Sequence, residues 1–155
     1  MNSDAAPVKV SFSFYPSDMQ ALNERMVALR RAGLPVRGGT VLRAVIHLTS
    51  PMEMFAHSVL LAGAYDQKDG PREADNITGH PTVDLPREHV KKLDDVVTEL
   101  AEKGVTANRA FVVRAILRAA RDGTALASAV KKFLTDFPAR SRGRAALKAK
   151  KNGRR

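Results

Sequence analysis

Two short stretches of the chain alternate apolar and polar residues. The first, residues 8–14, reads VKVSFSF, and the second, residues 80–86, reads HPTVDLP. Because successive side chains of a β-strand point to opposite faces, this alternation predicts two half-buried strands. Pro16 ends the first strand and Pro81 weakens the second, since proline cannot donate to a strand ladder. The outward side chains would be Lys9, Ser11 and Ser13 in the first strand and His80, Thr82 and Asp84 in the second.

Each strand is followed by apolar residues at helical spacing, which predicts three helices per strand. The first helix of each set ends at a glycine, Gly33 or Gly104, with Ser17 or Asp18 as the expected cap of the earlier one. Thr106 is the expected cap of the helix after Gly104. Two further helices follow, one after Pro51 and one over residues 124–137. In the helix after Pro51 the apolar positions are Met52, Phe55, Val59 and Leu60, and its methionines are expected to fill core space rather than to form a ligand surface.

The second set repeats the first at a constant offset of 71 residues. Gly33 aligns with Gly104, and the same offset pairs Arg43 with Arg114, Leu22 with Leu93 and Phe12 with Val83. Such self-similarity indicates a duplicated supersecondary unit. Since neither half could bury much apolar surface alone, the two units are expected to share a core.

These patterns predict a mainly α protein with one short two-stranded antiparallel β-ribbon and an extra helix per repeat. Residues 1–7 form a flexible N-terminus, residues 8–64 the first repeat with its extra helix, and residues 65–79 a linker rich in charge, Gly and Pro. Residues 80–138 form the second repeat with its extra helix, and residues 139–155 a disordered basic tail.

Charge is concentrated in the tail. The chain has a formal net charge of +10, and residues 139–155 contain eight basic residues and no acidic one. The remaining 18 basic and 16 acidic residues leave only +2 for residues 1–138. A basic tail of this kind is typical of an electrostatic arm for nucleic acid, and the alternative is a solubilising terminus without a specific partner.

Several classes of chemistry have no support in the sequence. Without cysteine there is no disulfide, no thiolate zinc site and no thiol nucleophile. The four histidines (His47, His57, His80 and His89) lack metal-ligand spacing, so neither a metal nor another cofactor is expected. No nucleotide-binding or catalytic motif is recognisable, and no enzymatic activity is expected. The chain has no membrane-spanning apolar run and no signal-peptide pattern, which predicts a cytoplasmic protein.

The order of strand, helix, glycine turn and helix resembles the ribbon-helix-helix family of DNA-binding proteins. The second unit carries the better match, with TVDLPRE at residues 82–88, the pattern LxxxxxxLAExG ending at Gly104, and VTAN at residues 105–108. The first unit departs from the family at Pro35, where Ser or Thr is common. The resemblance covers about residues 8–120. It implies that the two strands pair within one chain, forming a monomeric pseudo-dimer, or a dimer of pseudo-dimers on adjacent sites.

The resemblance also implies that the ribbon enters the major groove of double-stranded DNA. Base contacts would come from the outward strand residues Lys9, Ser11, Ser13, His80, Thr82 and Asp84. Phosphate contacts would come from the starts of the second helices and from the tail: Arg37, Gly38, Gly39, Thr40, Thr106, Ala107, Asn108, Arg109, Arg140, Arg142, Arg144, Lys148, Lys150 and Lys151. Two alternatives stay open. The strand face could be a solvated edge without a partner, and Gly38 and Gly39 could simply form a tight turn between helices.

The functions that the resemblance implies are an accessory factor in plasmid or conjugative DNA transfer, with a relaxase or another DNA-processing protein as partner, or a transcriptional regulator. The resemblance also implies a bacterial protein that is associated with the nucleoid or a plasmid. The alternative class is a protein-partner module of the antitoxin type, in which the third helices and the tail form the interface and the tail binds DNA nonspecifically.

Overall fold

The computed structural model describes residues 6–66, 79–120 and 123–137. Within these ranges the chain is mainly helical with a two-stranded antiparallel sheet, as the hydrophobic pattern predicts. The elements in order are β1 (Val8–Ser11), α1 (Pro16–Arg31), α2 (Gly38–Leu48), α3 (Pro51–Asp66), β2 (Thr82–Leu85), α4 (Arg87–Glu102), α5 (Arg109–Ala119) and α6 (Gly123–Asp136). None of these helices is long and apolar enough to span a membrane.

The two predicted strands pair with each other. Val8 lies opposite Leu85 and Val10 opposite Val83. Backbone hydrogen bonds continue past the regular strands, from Phe12 N–H to the Pro81 carbonyl at 3.0 Å and from Phe14 N–H to the Gly79 carbonyl at 2.9 Å. Regular strand is therefore shorter than residues 8–14 and 80–86, but the pairing itself extends to Gly79. Apolar side chains alternate inward as predicted, with Val10, Phe12, Phe14, Val83 and Leu85 buried.

Gly33 and Gly104 end α1 and α4 in the same way. Both adopt a positive φ, 80° and 85°, which side chains with a Cβ rarely adopt. In each case the N–H of the next residue reaches back to a helix carbonyl at 2.8 Å, from Leu34 to Leu29 and from Val105 to Leu100. This is the Schellman arrangement, and it confirms both glycines as helix ends.

The helix starts differ from the prediction. Helix α1 begins at Pro16 with Tyr15 as its N-cap, two or three residues earlier than a cap at Ser17 or Asp18 would give, because proline is suited to the first helical position. Asp18 instead lies in the first turn and accepts a hydrogen bond from the Tyr15 N–H at 2.9 Å. The cap of α5 is Asn108 rather than Thr106, since its side-chain oxygen accepts from the Phe111 N–H at 2.8 Å.

The third helix of each repeat packs on the other repeat. Helix α3 contacts α4 and α5, whereas α6 contacts α1 and α2. One core cluster accordingly contains fully buried side chains from both repeats, among them Phe12, Leu42, Leu93 and Leu117.

Helix α3 corrects the expected set of apolar core positions. Its buried residues are Met54, Ser58 and Leu61. Met52, Val59 and Leu60 are instead 82%, 39% and 69% exposed, and Phe55 is partly buried. The helix rests on α4 and α5 through positions 54, 58 and 61, so only one of its two methionines fills core space.

Both ends of the predicted linker belong to ordered elements. Helix α3 continues through Asp66, and Gly79 pairs with Phe14. The rest of the linker, residues 67–78, lies outside the described residues, as do residues 1–5 and the tail.

Candidate nucleic-acid interface

The outward face of the ribbon brings the six predicted base-contacting residues together. Lys9 lies opposite Asp84 and Ser11 opposite Thr82. The same register, continued to the Phe14–Gly79 bridge, sets Ser13 opposite His80. Lys9, Ser11, His80 and Thr82 are exposed, while Ser13 and Asp84 are partly exposed. The face is thus three polar cross-strand pairs in a row.

The central pair joins equivalent positions of the two repeats. The hydroxyl oxygens of Ser11 and Thr82 are 2.7 Å apart, and the two residues are separated by 71 positions, the offset of the repeat. Thr82 also donates to the His80 carbonyl at 3.3 Å, which leaves Ser11 to donate to Thr82. Because Ser11 and Thr82 occupy equivalent positions, the offset of 71 also relates the two outer pairs of the ribbon. Lys9 of one outer pair corresponds to His80 of the other, and Asp84 corresponds to Ser13.

The ribbon is fixed to the helices by its buried face. Phe12, Phe14 and Leu85 have no exposed surface, and Val10 and Val83 are at most 6% exposed. At the start of α2, a Cβ built on Gly39 would lie 3.5 Å from the Val83 side chain. The outward polar residues therefore stand on a packed support beside a helix terminus.

The predicted phosphate site at α2 consists of a cap residue and the first helical turn. Arg37 is the exposed N-cap, followed by Gly38, Gly39 and Thr40. The first N–H groups of a helix have no partner within it and favour anions. A Cβ on Gly38 would come within 3.1 Å of the Leu22 side chain, so this glycine also lets α2 approach α1 closely. Arg43 donates to the Thr40 hydroxyl at 3.2 Å.

The corresponding site at α5 is occupied by an ion pair. Arg109 makes two hydrogen bonds to Asp94, at 2.6 and 2.8 Å, and these bonds lower the pKa of the Asp94 carboxyl. A depression between the ribbon and this helix start is lined by Ser11, Ser13, Asp94, Asn108 and Arg109, among other residues. Thr106 is exposed and Ala107 partly buried just before it. In the first repeat the positions that correspond to Asp94 and Arg109 are Asn23 and Gly38. The starts of α2 and α5 therefore differ in charge.

A buried ion network was not apparent from the sequence. Asp18 is fully buried and accepts from Arg114 at 2.6 Å and from Arg118 at 2.8 Å. Arg114 also donates to the Tyr65 hydroxyl and lies 4.6 Å from the centre of the Tyr15 ring. The network joins α1, α3 and α5. Its one sequence signal is Arg114 inside the apolar run FVVRAIL, repeating Arg43.

Two histidines occupy the positions that correspond, through the repeat, to Asp18 and Arg118 of the ion network. At the offset of 71, Asp18 corresponds to His89 and Arg118 to His47. The facing ring nitrogens of His47 and His89 are 3.0 Å apart, and the other His47 nitrogen is 2.9 Å from the Asp136 carboxylate. Burial, with the nearby His47 and Lys92, lowers the pKa of His89 to about 4. Among the described residues no cluster of three or more His, Asp or Glu could hold a metal ion.

The tail residues expected to contact phosphates lie outside the described ranges: Arg140, Arg142, Arg144, Lys148, Lys150 and Lys151.

No protein-family model matches the chain, and neither the curated proteins nor the solved structures include a significant match to it.

Proposed function

We propose that this protein binds double-stranded DNA by inserting the β1–β2 ribbon into the major groove, as a tandem ribbon-helix-helix pseudo-dimer within one chain. The proposal rests on the three polar cross-strand pairs that stand on a buried apolar face and are centred on the equivalent residues Ser11 and Thr82. A two-stranded ribbon fits the width of the major groove, where outward side chains reach base edges.

The two ends of the ribbon carry different chemistry. Lys9 can donate to guanine acceptors, and Asp84 opposite it can accept from the cytosine amino group. At the other end, His80 and Ser13 can donate or accept. Because a twofold-symmetric ribbon would have the same groups at both ends, this protein should read an asymmetric site.

The helix starts would hold the phosphates on either side of the groove. At α2, backbone N–H groups and the exposed Arg37 offer positive charge without a neighbouring carboxylate in that turn. At α5, Asp94 offsets the charge of Arg109. The α2 side should therefore hold its phosphate more tightly, and the basic tail should add attraction that does not depend on sequence.

The biological role that we favour is an accessory factor in plasmid or conjugative DNA transfer, with a relaxase or another DNA-processing protein as partner. It follows the resemblance to single-chain tandem proteins that assist relaxases at transfer origins, because an asymmetric site gives a direction to strand processing. Transcriptional regulation is the other role consistent with specific binding.

Selection from a random duplex DNA pool tests the proposal. The full chain, at ~150 mM salt to weaken nonspecific attraction, should enrich one asymmetric motif. Replacing Lys9, Ser11 and Thr82 by alanine should abolish the enrichment, since base contacts specify the sequence. Lys131, Ser128 and Thr98 are exposed residues of the same types on α6 and α4, and their alanine variant is the matched control. If both variants enrich the wild-type motif, the ribbon is not the reading element.

The tail is tested separately by its salt dependence. Deleting residues 139–155 should lower affinity for every duplex and reduce the slope of log K against log salt, because fewer counterions are released. A deletion that removed sequence preference while leaving nonspecific affinity unchanged would contradict the assignment of reading to the ribbon and attraction to the tail.

A further inference from the structure

Helix α3 presents an apolar face to the solvent. We call the residues Met52, Ala56, Val59, Leu60 and Gly63 the α3 outer face. All five are exposed, with Met52 at 82% and Leu60 at 69%, and their spacing of three or four residues aligns them along one side of the helix.

Helix α6 is an internal control for this face. The burial patterns of α3 and α6 correspond at an offset of 72 residues, with Met54, Ser58 and Leu61 of α3 matching Leu126, Val130 and Phe133 of α6. The positions that correspond to the α3 outer face are all polar in α6: Thr124, Ser128, Lys131, Lys132 and Thr135. A third helix in this fold therefore needs no apolar outer face for its own packing, and an exposed apolar patch marks an interaction surface.

The segments of this chain outside the described residues are poor candidates to cover the face. Residues 1–5, 67–78, 121–122 and 138–155 together contain only Met1, Ile77 and Leu147 as large apolar residues, and they are otherwise polar, charged or small. They could not bury a face three helical turns long.

We propose that the α3 outer face binds the same face of a second copy of this chain, with the two α3 helices antiparallel about a twofold axis. Large and small residues alternate along the face in the order Met52, Ala56, Leu60 and Gly63. Setting Leu60 over Ala56 of the second copy also brings Met52 close to the level of Gly63 of the second copy. Each large side chain then meets a small residue, so the face is self-complementary, as a twofold interface requires.

Charge favours this pairing over one through α6. The α3 outer face contains no charged residue, whereas two α6 helices brought together would oppose Lys131 and Lys132 of both copies. One helix face of this length covers on the order of 400 Å² per copy, about half of a standard specific interface. The expected dimer is therefore weak, and it forms without DNA.

Sedimentation equilibrium of the full chain without DNA tests the pairing. Wild type should dimerise with a dissociation constant between roughly 10 μM and 1 mM, as a small interface predicts. Leu60→Lys and Met52→Thr install the residues that α6 has at the corresponding positions. Either change should raise the dissociation constant at least tenfold without altering the circular dichroism spectrum, because both side chains are exposed.

The matched control is Val27→Thr on α1. Val27 is also exposed, at 41%, and Thr98 is its counterpart in the second repeat. This change should leave the dissociation constant within twofold of wild type. The proposal is wrong if wild type stays monomeric at ~1 mM, the upper end of that range, or if Leu60→Lys dimerises as well as Val27→Thr does. DNA selection is measured independently, so either proposal can fail without the other.

Discussion

Asp18 is the residue on which the junction of α1 and α5 depends most directly. It has no exposed surface, and its two oxygens accept from Arg114 and Arg118. Replacing Asp18 by alanine would leave a buried guanidinium without its counterion, a change that costs about 3–5 kcal/mol. We expect urea unfolding to show a loss of that size.

The ion pair of Asp94 and Arg109 is the control for this prediction, since the two side chains are 48% and 40% exposed. Removing Asp94 should cost about 1 kcal/mol or less, because solvent screens an exposed pair. If Asp18→Ala and Asp94→Ala lower the free energy of unfolding equally, burial does not make the Asp18 ion pair more stabilising than the exposed one.

His89 gives the protein a defined dependence on pH. Its pKa is lowered from 6.5 to about 4, first by burial and then by His47 and Lys92. Below pH 6.5 the unfolded chain takes up a proton at this position that the folded chain accepts only near pH 4. Stability should therefore be complete above pH 6.5 and fall by up to about 3 kcal/mol as the pH drops towards 4.

Urea unfolding at several pH values between 7.5 and 4.5 measures this effect. His89→Gln should be less stable than wild type at pH 7.5 but should lose less stability on acidification. His80→Gln, at an exposed ribbon position, controls for the removal of one imidazole. If His89→Gln and wild type lose the same stability between these pH values, other groups carry the acid sensitivity.

Local sequence predicts some of these residue environments and not others. The alternation of apolar and polar residues was enough to predict that Lys9, Ser11 and Thr82 lie on the outward face, because a strand has only two faces. Asp18 resembled a helix cap, and its true partner is 96 positions away. Local spacing carries no information about such a contact, and the same is true of His47 and His89, whose rings meet although 42 positions separate them.

At the scale of elements, the two glycine turns end the first helix of each repeat with a positive φ, 80° at Gly33 and 85° at Gly104. A Cβ at Gly33 or Gly104 would meet no neighbouring atom, so a substitution there is opposed by the backbone conformation and not by crowding. Gly33→Ala should cost about 1–2 kcal/mol, the penalty of a left-handed conformation. Thermal unfolding of dilute protein, where self-association is negligible, measures the loss.

Gly63→Ala is the matched control for Gly33→Ala. Gly63 also has free space around it, but it lies within helix α3. The same substitution should raise stability there by about 0.5–1 kcal/mol, since alanine restricts the unfolded chain and favours helix. If both variants shift the unfolding temperature in the same direction, the positive φ of Gly33 is not what constrains the position.

The glycine ends were predictable because a glycine after an amphipathic stretch indicates a helix end through local chemistry. The inward face of α3 was not. Its sequence, MEMFAHSVLLAGA, has apolar residues on nearly every side, so periodicity could not choose between Met52 and Met54. Contact with α4 and α5 made that choice, and only the comparison with α6 shows that the remaining apolar residues are unusual.

At the scale of the whole molecule, the fold is one core assembled from two repeats. The duplication, together with the resemblance to ribbon-helix-helix proteins, predicted the antiparallel pairing of the strands, because a single exposed strand needs a partner. It did not predict that α3 would pack on α4 and α5 and α6 on α1 and α2. That exchange means that each repeat covers the apolar surface of the other.

The exchange leads to a prediction about the separated repeats. A fragment of residues 1–70 keeps β1 without its paired strand and α3 without α4 and α5. It should therefore not fold as a monomer: it should either remain unfolded or form a homodimer in which two copies supply each other's missing strand and helix. Mixing it with residues 79–138 should give a one-to-one complex with the helical circular dichroism and cooperative melting of the intact chain. A fragment that melts cooperatively at a monomeric mass would contradict the shared core, because each repeat would then contain all the contacts that it needs to fold.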